Sequence, residues 1–151
     1  MILSKIKIKG VLVKSFILVL IFTGLAGFIL DFIVRVLSNE KIVFDRKSGL
    51  LLLLNIPVYA VGGALIYLLY MIPLFHSTIW GIVFYLIGGL ACCLVEFGFG
   101  YLLNIKLKLN IWNYQTKFNI MGQTDLYHFI GFTLLTIPVV NLTWLIGLLG
   151  K

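Results

Sequence analysis

"TIWGIVFYLIGGLACCLVEFGFGYLLN", Thr78 to Asn104, is apolar along its whole length except for one acid, Glu96. As a helix rising 1.5 Å per residue it would reach about 40 Å, more than the roughly 30 Å of a bilayer's hydrocarbon core. Strand-type alternation is missing, and in lipid every backbone amide must find its partner within the protein, so the stretch reads as a transmembrane helix rather than part of a small barrel. Working outward, three further runs of the same kind lie at 11–37, 49–75 and 126–150. The chain of 151 residues is 62% hydrophobic and 11% charged, with a mean hydropathy of +1.13, far from the balance of a water-soluble domain. The expected fold is all-α: one polytopic domain over 1–151 with four transmembrane helices and an interfacial or re-entrant segment before the last. Such a chain belongs in the cell membrane as a multi-pass protein, and its first partner is the lipid bilayer.

The first run follows Lys5, Lys7 and Lys9 and could pass for a signal peptide, but its hydrophobic stretch continues through "FIVRVL" without a small-residue cleavage site. An uncleaved span is expected. The formal charge of +7 would suggest nucleic acid in a soluble protein. Here the lysines flank the apolar runs, where anionic headgroups attract them, and no nucleic-acid partner is expected. Basic residues divide almost evenly between the two ends of the runs, so they set no orientation.

A carboxylate as deep as Glu96 costs on the order of 2.5–3.5 kcal/mol on insertion scales, so it should face the bundle interior. Gly89, Cys92, Cys93 and Gly100 share its helical face, and small side chains there let another helix come close. Phe84, Leu94 and Phe97 are left to face lipid. If the four spans alternate up and down, Asp31, Arg35, Asn55, Pro57, His128 and Thr133 gather with Glu96 in one leaflet. Glu96 together with Arg35, Asn55 and His128 then forms a polar pocket for a lipid headgroup or small polar solute. The plainer alternative is a buried acid neutralised by Arg35 or a backbone group. Asp31 and Arg35, spaced i, i+4, can pair along one helix face or snorkel toward the headgroups.

Pro138 removes an amide from the last run and leaves the Leu134 carbonyl short of a partner. A kink is expected, with Thr136, Asn141 and Thr143 as candidates to satisfy the freed group or to bond neighbouring helices. Adjacent Cys92 and Cys93 cannot pair easily and lack metal-ligand spacing, so both read as packing residues. No metal site, cofactor or catalytic set is expected.

"NIKLKLNIWNYQTKFNIMGQTD", Asn104 to Asp125, breaks the apolar pattern. Lysines alternate with aliphatic residues first, as in a stretch lying at the interface, and Trp112 and Tyr114 suit headgroup-level anchors. The density of amides after them, Asn113 and Asn119 among them, and the turn position at Gly122 suggest a lid dipping back over the bundle, tolerated only where it rests on protein or a wet cavity.

Glu96 followed by "FGFGYLLN", then "WNY" at 112–114, "FNIMGQ" at 118–123 and a last hydrophobic span resemble the ABC-transporter type IV family of small bacterial membrane proteins. The resemblance covers about residues 85–150. Glu96, Trp112, Tyr114, Asn119 and Gly122 match the family's pattern, while Asn113 stands where an aspartate is usual and Phe132 where a tryptophan is common. It implies a transporter-type or accessory membrane component, with Trp112, Tyr114 and Asn119 joining the candidate ligand-binding residues and Gly100, Asn113, Gly122 and Pro138 as structural ones. Lacking a Gly-x-x-x-x-Gly-Lys-Ser/Thr loop, the chain would need a separate ATPase subunit, and homo-oligomers are the other expected partners. Two alternatives stand beside this: a small enzyme acting on lipid or isoprenoid with Glu96 and His128 as acid and base, and a structural subunit of a membrane complex docking through the small-residue face.

Overall fold

The hydrophobic runs become helices, α1 (Ile2–Leu37), α2 (Asn55–Tyr70), α3 (Thr78–Gly100) and α4 (Leu126–Leu149). The structure, a computed structural model, describes residues 2–37, 53–73 and 78–149, with side chains over 12–33, 53–73 and 80–146. The Arg35 side chain, the loop at 38–48 and His76 lie outside the described residues.

Three helical stretches are long and apolar enough to cross a membrane: Leu12–Ile33, Trp80–Lys106 and Leu126–Ile146. The second run is shorter than the sequence suggests. Its helix has 16 residues, about 24 Å at 1.5 Å per residue. It ends at Tyr70, where the Met71 amide bonds back to the carbonyls of Tyr67 and Leu68, and Pro73 has no amide with which to extend it. The third run departs in the other direction. Beyond Gly100 the chain continues as a π-helical turn, Tyr101–Lys106, in which the Leu107 amide reaches the Leu102 carbonyl at 2.9 Å.

Polarity is arranged for a lipid solvent. Ile82 is 68% exposed and Leu94 and Leu134 face outward with it, while Ser15, Thr23, Glu96, Thr136 and Thr143 are buried. A soluble protein of this size would not leave so continuous an apolar surface to water. The chain is accordingly a multi-pass membrane protein.

Packing is closest between α1 and α2 and between α3 and α4, and α2 joins the two pairs. Small residues permit this. A side chain at Gly89 would collide with Thr133 of α4, and one at Gly62 of α2 would press on the Cys92 sulfur. The small-residue face of α3 thus meets two helices, and both cysteines are free and buried as packing groups. Phe84 departs from expectation. Rather than facing lipid, it is 3% exposed and packs with Ile66 and Cys92, edge-on to Tyr70 and Tyr85, because it lies on the α2-facing side of α3.

Pro138 lies inside a continuous α4. The hydroxyls of Thr136 and Thr143 bond the carbonyls of Phe132 and Val139, each four residues back in the same helix. They therefore do not serve Leu134 as the sequence suggests; a helical threonine most readily reaches its own i−4 carbonyl.

Between the π-helical turn and α4 the chain makes a short hairpin, β1 (Asn119–Ile120) against β2 (Thr124–Asp125), antiparallel with Ile120 opposite Thr124. Met121 and Gly122 both hold left-handed backbone angles, φ +53° and +71°, and the Gln123 amide closes the turn on the Ile120 carbonyl at 3.0 Å. The Asn119 carboxamide accepts from the Gly122 amide at 2.8 Å.

Candidate functional site

The hairpin folds over the end of the bundle as a cap, and Asn104 fastens it. Its carboxamide nitrogen donates to the Trp112 carbonyl at 2.9 Å and to Gln123 Oε1 at 2.7 Å, while its oxygen accepts from the Ile111 amide at 2.6 Å. The Trp112 indole N–H donates to the Gln123 carbonyl at 3.0 Å. Gly100 lets this assembly sit down on α3: a Cβ there would meet Gln123 Oε1 at 2.6 Å and the Trp112 ring at 3.2 Å. Trp112 is 8% exposed and packs with Val58 and Leu103. It is part of the cap's core rather than a headgroup anchor.

Beneath the cap lies a chamber of about 20 Å³ lined by Asp31, Asn55, Val58, Tyr59, Glu96, Trp112, Tyr114 and Phe132. Five elements supply these residues, with Phe132 coming from α4. α1 brings Asp31, α2 brings Asn55, α3 brings Glu96, and the cap brings Trp112 and Tyr114. Asn55 Nδ2 donates to Asp31 Oδ2 at 2.9 Å, which turns Asp31 toward α2. The Tyr114 hydroxyl donates to Glu96 Oε1 at 2.9 Å. Glu96 itself is 6% exposed, and its other oxygen, Oε2, has no hydrogen-bond partner among the described residues. The Thr124 hydroxyl faces both the Glu96 carboxyl and the Cys93 thiol without closing a well-aligned bond to either. A volume of this size holds about one water-sized group.

A second set of groups leads from Glu96 toward the surface. His128 Nε2 stands 4.0 Å from Glu96 Oε1, and Nδ1 of the same ring is 2.7 Å from Asp125 Oδ1. The imidazole lies against the Tyr114 ring, centroids 4.0 Å apart. Asp125 caps α4 through the His128 amide at 2.8 Å and accepts from the Thr116 hydroxyl at 2.6 Å. Burial alone would raise the Asp125 carboxyl, but the Thr116 hydroxyl and the two His128 bonds outweigh it and hold the group below its ordinary value. Tyr114 is displaced the other way. Its burial, then the adjacent Glu96 carboxylate and the bond to it, keep the phenol protonated far above the usual tyrosine range.

Of the residues singled out from sequence, Glu96, Asn55, Trp112 and Tyr114 meet at the chamber and His128 adjoins it. Asn119 does not; it is exposed and stabilises the hairpin turn. Asn113 holds its carboxamide where a side chain on Gly122 would fall, a packing role that needs no charge. Gln123 is one of the amides that mark the segment in the sequence, whereas Asn104, Asp125 and Tyr59 are not among the residues the sequence singles out. Asp125 carried a readable signal, a capping aspartate three residues before His128 at the head of an apolar run, whereas Asn104 sits inside an apolar helix with nothing local to mark it.

The family model described as "Putative ABC-transporter type IV" matches residues 18–146. The chain belongs to that family. The match extends well upstream of residues 85–150 and takes in the chamber residues of α1 and α2. No curated protein and no solved structure matches the chain.

Proposed function

We propose that this family member is the membrane component of a transporter-type assembly, or an accessory to one, and that its chamber seats a polar group in one leaflet: a small solute or a lipid headgroup. All four helices cross the bilayer in this reading, with α2 held against α1. The observation that carries it is the free oxygen of Glu96. A buried acceptor left without a partner costs about 1–3 kcal/mol, and here Glu96 lines a space that a ligand's polar group can fill. Intramembrane acids that face a cavity mark solute paths and binding sites more often than they stabilise a fold. An energy-coupling ATPase would be a separate subunit, because the chain has no phosphate-binding loop of its own.

A second reading draws on one specific geometry. An imidazole oriented by Asp125 and aimed toward Glu96 is the arrangement a general base requires, and it would suit an enzyme acting on lipid. One experiment serves both readings. Wild-type protein and Glu96→Ala are purified and presented with a panel of small polar solutes and lipid species, with bound ligand read by native mass spectrometry. Retention of a panel member by wild type and its loss in the variant are expected. Retention that is indifferent to Glu96→Ala removes the binding reading, and turnover of a panel lipid by wild type alone replaces it with the enzyme.

A further inference from the structure

The groups on the chamber wall specify a class of ligand. Three donors on the wall are already committed: the Asn55 amide to Asp31, the Tyr114 hydroxyl to Glu96 and the Trp112 indole to the Gln123 carbonyl. Glu96, more than nine-tenths buried, keeps one carboxyl oxygen without a hydrogen-bond partner among the described residues. Asp31 adds a second carboxyl to the same wall, and among the described lining residues there is no cationic side chain. Aromatic rings of Tyr59, Trp112, Tyr114 and Phe132 complete the enclosure. Carboxylates set among aromatic rings attract cations, because the ring faces carry negative charge, and an anion brought here would meet two carboxyl groups.

Size narrows the class further. About 20 Å³ admits one water-sized group, which an –NH3⁺ matches. A trimethylammonium group is several times larger and has no N–H with which to engage the carboxylate. We propose that the chamber takes a primary ammonium group, offered either by an amine-bearing lipid headgroup or by a free amine, with the Glu96 carboxylate as its principal acceptor between the aromatic walls. This rests on the chamber being a binding site, and narrows what it binds.

Next to the chamber, and sharing Val58, Tyr59 and Phe132 with it, a larger cavity of about 170 Å³ runs between the helices past Phe22, Ile66 and Leu142. Its walls are almost wholly apolar. A hydrocarbon chain attached to the ammonium group therefore has a compatible space beside the polar end.

The test uses full-length protein in phosphatidylcholine nanodiscs with Trp80→Phe and Trp144→Phe, so that emission comes from Trp112 on the chamber wall. Methylammonium chloride is titrated against sodium chloride at equal ionic strength, followed by di-, tri- and tetramethylammonium. A saturable change with methylammonium is expected, weakening at least tenfold by tetramethylammonium. A series that stays flat, or a response reproduced by sodium, overturns the proposal without reference to any variant. Glu96→Gln, which keeps an oxygen for Tyr114 to donate to, is expected to weaken methylammonium at least tenfold. Midpoints within twofold of wild type also overturn it. Repeating the titration in phosphatidylethanolamine nanodiscs assigns the source: a rightward shift from competition identifies the headgroup, and an unchanged midpoint identifies a free amine. If the amines fail while an anionic or neutral panel member binds in a Glu96-dependent way, the chamber remains a binding site and only its specificity has been misjudged.

Discussion

Asp125 shows how one side chain couples the cap to the bundle. One carboxylate oxygen receives the His128 amide and imidazole, and the other receives Thr116. Losing the helix cap alone costs about 1 kcal/mol, and the charge-assisted bond from Thr116 adds about 1.5–3 kcal/mol, so Asp125→Ala should lower stability in detergent by on the order of 3 kcal/mol in thermal or denaturant melts. Its pH dependence has a definite sign. The folded carboxyl titrates below its ordinary value, so its contribution is fully present above the unfolded value of about 3.9 and is lost as pH falls through the lower folded value. Asp125→Asn keeps a competent cap but no charge. The gap in melting temperature between wild type and Asp125→Asn should be steady near neutrality and close only below about pH 4. A gap that stays constant into strong acid would assign the stability to the cap geometry and not to the carboxylate.

The cap hairpin is held in place by two glycines, each for a different reason. At Gly100 the need is space, for Gln123 and the Trp112 ring; at Gly122 it is also backbone, since φ is +71° and the Asn113 carboxamide occupies the Cβ position. Gly122→Ala should cost about 1–2 kcal/mol from the left-handed backbone, with more from the displaced Asn113. Adding Asn113→Gly should recover the collision part but not the backbone part, so the double variant melts between Gly122→Ala and wild type. No recovery would mean that Asn113 does not lie over the turn.

Helices were legible in the sequence because their signal is local and long: uninterrupted apolar runs with glycines on one face of the third. That Glu96 turns inward was legible too, since its helical neighbours are small. The cap was harder to read. Its amides suggested a lid, but which of them would hold it depends on contacts between residues far apart in sequence. Asn104 bonds Gln123, nineteen positions later, and no periodicity marks such a pair. Trp112 misled for the same reason, as an indole beside a membrane surface has the same sequence context whether it anchors in headgroups or closes a buried lid. The short α2 was obscured because hydrophobicity alone does not register where a turn at Met71–Pro73 ends a helix.

For the whole molecule, apolar surface faces outward and polar groups are enclosed, in the sense opposite to a soluble domain. The four helices converge at one end on a chamber lined by a carboxylate with one unsatisfied oxygen, and the family match over residues 18–146 reaches into each of them. Glutamate occurs only at positions 40 and 96, which makes the central claim directly observable. Protein carrying 13Cδ-glutamate in nanodiscs should give two carboxyl signals, with Glu96 assigned by its loss in Glu96→Gln. The account predicts that this signal resists broadening by both a water-soluble gadolinium chelate and a nitroxide on the lipid acyl chains, and moves in Tyr114→Phe. Broadening by either agent, together with indifference to Tyr114→Phe, would place the carboxyl outside a capped chamber and contradict the account.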